Sequence, residues 1–185
     1  MKHHFKLLFL FALSFAFVSC SDDDAPPPNE EELITTLNAT LTPMGGGTAV
    51  TFSFQDLDGD GGNAPIITVG DLAASTTYNV SLELLNESET PAEDITLEID
   101  EEDLEHQFFF DVSGANLTVA YTDMDPSGNP VGLTSDWTTG AASAGTITIT
   151  LRHEPAKDAT GVSGGDITNA GGETDIEVTF DVNII

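Results

Sequence analysis

Basic residues are almost absent from this chain. Lys2, Lys6, Arg152 and Lys157 are the only four in 185 residues, against 32 aspartates and glutamates. Binding to a phosphate backbone requires clustered lysine and arginine, so nucleic acid is excluded as a partner. Cysteine is scarcer still: Cys20 stands alone, and no disulfide can form within one chain. Long apolar runs are missing apart from Leu7 to Val18, twelve residues in which Ser14 is the only polar one. As a helix that run would be about 18 Å long, against a hydrocarbon core of roughly 30 Å, so it does not span. A nucleophile with a placed base is also lacking. Neither His106 nor His153 lies in a serine-hydrolase context, and carboxylate pairs carry no signal among so many carboxylates. No enzyme is expected.

What the chain does have at its start is Lys2 and Lys6 ahead of the apolar run, the layout of an export signal removed on maturation. Ser19-Cys20 then resembles a bacterial lipobox, with Phe17 where leucine is usual. The resemblance implies a signal peptide over 1–19 and an acylated Cys20 as the new N-terminus. More than one acyl chain, at about 0.8 kcal/mol per buried CH₂, would make the anchoring stable. The run Cys20-Ser21-Asp22-Asp23-Asp24 resembles the acidic export signal of Bacteroidota lipoproteins, which implies an outer-membrane anchor facing the cell surface. In physical terms, anionic headgroups repel such a run and keep the tether in water. Ala25-Pro26-Pro27-Pro28 adds a stiff spacer and Asn29 to Glu32 continues the acidic tether, which is assigned to 20–32. Beyond Cys20, two basic residues face 32 acidic ones, a formal charge of −30. A field of this size favours cations and cationic partners.

From Leu33 to Ile185 short runs rich in Thr, Val, Ile and Phe alternate with Gly, Asn, Asp and Pro, which is strand chemistry. The runs predict strands near Leu33 to Thr42, Ala49 to Gln55, Ile66 to Val69, Thr77 to Asn86, Phe108 to Val112, Leu117 to Thr122, Val131 to Trp137, Thr146 to Arg152 and Asp175 to Ile184. Such spacing, almost without helix, predicts an all-β fold over 33–185: an antiparallel immunoglobulin-like β-sandwich with one short helical excursion. Leu72 to Leu82 resembles the tyrosine corner of fibronectin type III and immunoglobulin-like domains, which implies that the Tyr78 hydroxyl bonds back to backbone. Thr90-Pro91-Ala92-Glu93 reads as a capping box and predicts a helix within Thr90 to His106, with Ile95 and Ile99 on one stripe. Gly161 to Gly172, with five glycines, reads as a long mobile surface loop.

Three places are candidates for chemistry. Asp56, Asp58 and Asp60, followed by Gly61, repeat the first half of a calcium loop, although Ile67 stands where a full loop would end in glutamate. They read either as a calcium site or as an acidic hairpin whose residues suit turns. His106 and His153, brought together by the sheet with Glu105 or Glu154, would hold zinc or copper; otherwise they are isolated surface or edge residues. Among aromatics, Phe108 and Phe110 share a core face. Phe109, Tyr121 and Trp137 are left as outward candidates, with Trp137 better read as core.

As a whole the chain resembles small Bacteroidota surface lipoproteins loosely described as having a type 1 periplasmic-binding fold. The resemblance lies in Asp56 to Asn63, in Glu105 to Phe110, in Arg152-His153-Glu154-Pro155 and in Thr168 to Asp175. That fold name conflicts with the residues, because two lobes of alternating strands and helices need a longer and more helical chain. The resemblance implies association with a TonB-dependent outer-membrane transporter. The expected function is therefore a non-catalytic binding or accessory module, with calcium as the candidate cofactor. A passive surface or adhesion module is the alternative.

Overall fold

The strict alternation of residues such as Ile176-Glu177-Val178-Thr179-Phe180 turns every second side chain to one face, and a sheet built from such strands has one face to bury. In a computed structural model of the chain, which describes residues 32–59 and 62–185, these strands form two antiparallel sheets packed as a sandwich. Cys20, the export segment, most of the tether and Asp60 lie outside the described residues.

The strands are β1 (Thr36–Pro43), β2 (Val50–Gln55), β3 (Ile66–Thr68), β4 (Thr77–Asn86), β5 (Glu93–Asp94), β6 (His106–Ser113), β7 (Leu117–Tyr121), β8 (Thr134–Thr139), β9 (Ser143–His153) and β10 (Glu173–Ile184). The larger sheet runs β3-β2-β1-β4-β8-β7, with β5 paired beside β4, and the smaller runs β10-β9-β6. Glu31–Ile185 form one compact unit. No helix among the described residues is long and apolar enough to cross a membrane.

Between the sheets lie the inward residues of the longer strands, among them Leu37, Val80, Leu84, Ile147, Ile149 and Val178. Phe52 sits at the centre, edge-on to Trp137 at 6.2 Å and tilted against Phe180 at 5.7 Å. Such ring pairs add about 0.5–1.5 kcal/mol each beyond their buried area. Trp137 has no exposed surface, and its indole N–H donates to the Ser135 hydroxyl. The Tyr78 hydroxyl accepts from the Ala73 backbone N–H at 2.8 Å, the contact expected of a tyrosine corner.

Three expectations are corrected. The helix, α1, covers only Ile95–Glu101, buries Ile95 and Ile99, and is capped by Asp94, whose carboxylate accepts from the Thr96 N–H. Its expected first turn is instead extended, because Glu93 and Asp94 pair with Asn86 and Leu85. Phe109 faces away from the main core but is covered: Val162 and Ala170 close over it in a second small cluster. The glycine-rich segment that supplies them is therefore a packed flap on the outer face of β6, with two 3₁₀ turns at Val162–Gly164 and Ile167–Asn169. The buried Gln107 amide donates to the Val162 carbonyl and fastens that flap.

Candidate metal centre

β6 and β9 are antiparallel, and their register sets the first residue of one, His106, directly opposite the last residue of the other, His153. Each shares its strand's inward face with apolar neighbours, His106 with Phe108 and His153 with Leu151. The two rings lie 4.6 Å apart between centroids and are almost wholly buried.

Two carboxylates complete the cluster, and neither follows from a simple strand pattern. Asp175 belongs to β10, whose register against β9 shifts between Thr174 and Ile176. The extra residue of such a bulge is re-aimed out of alternation. Asp175, which alternation would place outward beside the inward Ile176, has no side-chain exposure and approaches both histidines. Gly172 lets the chain enter β10 this closely. A Cβ there would stand 2.1 Å from the His153 carbonyl oxygen, and the backbone has φ +68°, a region glycine takes freely. Glu32 comes from the other side, in the segment leading into β1, with its side chain 8% exposed. Glu32 lies within the compact unit.

The distances are short. His106 Nε2 is 3.2 Å from Glu32 Oε1 and 4.0 Å from Asp175 Oδ2, while His153 Nδ1 is 3.9 Å from both Glu32 Oε2 and Asp175 Oδ1. One donor atom from each of the four residues lies within 4.8 Å of the others. The outward nitrogens face acceptors. His106 Nδ1 lies 3.2 Å from the Glu102 carbonyl oxygen, and His153 Nε2 lies 3.9 Å from the exposed Glu105 carboxylate. Burial favours the neutral His106 ring, but Glu32 and Asp175 outweigh it and hold the imidazole above its ordinary pKa. For Glu32 burial works upward, and His106 beside it brings the carboxyl below the usual range.

Glu105 and Glu154, both exposed, join His153 in a second group, with one ligand atom from each within 4.8 Å of the others. In the acidic turn, Asp56 Oδ1 accepts from the backbone N–H of Asp58 and of Gly59. The exposed Asp58 carboxylate accepts from the Asn63 backbone and side-chain amides, which lower its pKa. Asp56 and Asp58 also border a cleft of about 640 Å³ that ends on Glu32 and Asp175. Tyr121 is half-buried, donates to the Phe108 carbonyl and is pushed up to about 12 by burial.

No family model matches the chain, and no similar curated protein or solved structure is found.

Proposed function

We propose that this chain is an exported, lipid-anchored β-sandwich that serves at the cell surface as a non-catalytic, cation-binding accessory module. The observation that carries the cation-binding reading is the buried pairing of His106 with His153 between two carboxylates. The anchor rests on Cys20 behind the short apolar run and ahead of the acidic one. The charge beyond Cys20 supports a cationic ligand over an anionic one. A TonB-dependent transporter is the proposed partner, supported by the family resemblance alone.

The test is fractionation of cells that express the full chain. Cys20→Ala should move the protein from the membrane to the soluble fraction. Deletion of Asp22 to Asp24 should leave folding intact but turn a protease-accessible protein into a protected one on whole cells. A stoichiometric transporter in detergent pull-downs supports the accessory role. An anchored protein with neither transporter nor bound cation would instead be a passive surface module.

A further inference from the structure

We infer that Glu32, His106, His153 and Asp175 are the four ligands of a zinc-class divalent ion, which clasps the chain entering the domain to the end of the smaller sheet. This deepens the cation-binding part of the proposed function and is independent of the lipid anchor.

The donor set selects the ion. Calcium and magnesium take oxygen ligands, calcium six to eight of them, and two inward imidazoles are wrong for either. Zinc accepts histidine nitrogen at about 2.0–2.1 Å and carboxylate oxygen at about 2.0–2.2 Å, in closed tetrahedral sites when its role is structural. A tetrahedron with such bonds places its ligand atoms about 3.3 Å apart. Each histidine approaches both carboxylates to between 3.2 and 4.0 Å, through different oxygens of each, and one donor atom from each of the four residues lies within 4.8 Å of the others, so inward shifts of up to about 1 Å at the side chains would close the site.

The imidazoles are also oriented for ligation. A ligating histidine turns its other ring nitrogen to a carbonyl or carboxylate, which fixes the tautomer and leaves the inward lone pair free. His106 does this with the Glu102 carbonyl, and His153 turns its outer nitrogen toward Glu105. His153 Nδ1 and Glu32 Oε2 point inward, buried and without a hydrogen-bond partner. Leaving such atoms unmatched is costly. With the imidazoles deprotonated, as ligation requires, the two carboxylates carry the charge that a divalent cation cancels. The cleft bordered by Asp56 and Asp58 supplies an acidic approach from solvent.

The position gives the ion a role. His106 and His153 are strand ends, Asp175 lies at a bulge and Glu32 in the segment leading into β1, so one ion would tie three strands to that entering segment.

The test uses the chain from Ser21 onward, which contains the whole compact unit. After chelator treatment it is titrated with zinc against a chromophoric competitor. One zinc per chain should bind, raise Tm and slow proteolysis ahead of Thr36. Cobalt should give the intense visible bands of a four-coordinate site, bleached by zinc, while calcium should do neither. Glu32→Gln precedes the first strand and leaves the sheets untouched; it should weaken zinc at least about tenfold and abolish the protease protection. The double variant H106A/H153A should bind no zinc at the site. The inference is overturned if the wild-type chain binds no stoichiometric zinc. It is also overturned if E32Q, with an unchanged Tm in chelator, binds zinc like wild type. The E32Q arm decides the matter should the double variant fail to fold. A negative result here leaves the fractionation outcome unaffected, and a soluble wild-type protein leaves the zinc result unaffected.

Discussion

Lys157 Nζ lies 3.0 Å from Asp125 Oδ2, and both side chains are withdrawn from solvent, the carboxylate completely. The ammonium also donates to the backbone carbonyls of Asp103 and Pro130, so a single cation joins three loops at one side of the sandwich. In a chain with so few basic residues, this is an ion pair that burial makes consequential. Replacing Lys157 by Met keeps the aliphatic stem but leaves Asp125 without its cation. Removing one partner of a buried pair typically costs about 3–5 kcal/mol. The midpoint of denaturant unfolding should fall accordingly, with an unchanged slope.

The same pair sets a pH dependence. Burial pushes the Asp125 carboxyl upward, but the Asn129 N–H, the Lys157 ammonium and the Ser127 N–H outweigh it and hold the pKa below its ordinary 3.8. A carboxyl depressed in the folded state contributes stability that is fully present above its unfolded pKa and disappears as pH falls through the folded one. The stability difference between the wild-type chain and Asp125→Asn should therefore be constant near neutral pH and shrink below about pH 4. Unfolding curves at a series of pH values would measure it, and a difference that grew on acidification would contradict this account.

Tyr78 supplies a second test. Tyr78→Phe keeps the ring in the core and removes only the acceptor of the Ala73 N–H. A donor left without its partner in a partly buried place costs about 1–3 kcal/mol. Thermal unfolding should report a loss in that range. The amide of Ala73 should exchange with deuterium faster while the central strands keep their protection.

Gly172 offers a third. Gly172→Ala places a Cβ against the His153 carbonyl oxygen and asks alanine to hold a positive φ, so stability should drop by more than about 1 kcal/mol. The displaced backbone carries His153, so zinc affinity measured by competition should fall together with Tm. An equivalent change at Gly46, where a Cβ would meet nothing within 4 Å although φ is also positive, separates the two effects: it should cost stability without moving zinc affinity.

Most of the strands were legible because they bury one face. Thr77 to Asn86 alternates over its whole length and is observed with those bounds, and Trp137 and Tyr78 are buried as their apolar surface demands. The helix was overread because Thr90-Pro91-Ala92-Glu93 satisfies local capping rules, whereas the pairing of Glu93 and Asp94 back onto the end of β4 is a hairpin contact that capping rules do not contain. The candidate centre was half legible. His106 and His153 stand out by their residue type, but 47 positions separate them and only the register of β6 on β9 makes them neighbours. Asp175 was hidden by its own bulge, since alternation from Ile176 assigns it to solvent. Glu32 was hidden by company, as one acid in an acidic run. The buried Lys157 gave a faint signal: it is one of two basic residues in the domain, and a lone cation among so many acids is apt to be held by one of them.

The last strand of the larger sheet, β3, pairs with β2 through only three residues and leaves Ile66 and Ile67 exposed. An edge this short gives another molecule too few backbone groups to add a strand of its own. Every copy also brings the same surplus of negative charge. Ile66 and Ile67 can therefore stay exposed at this edge without recruiting a neighbour's strand there, while the shared charge sets copies apart.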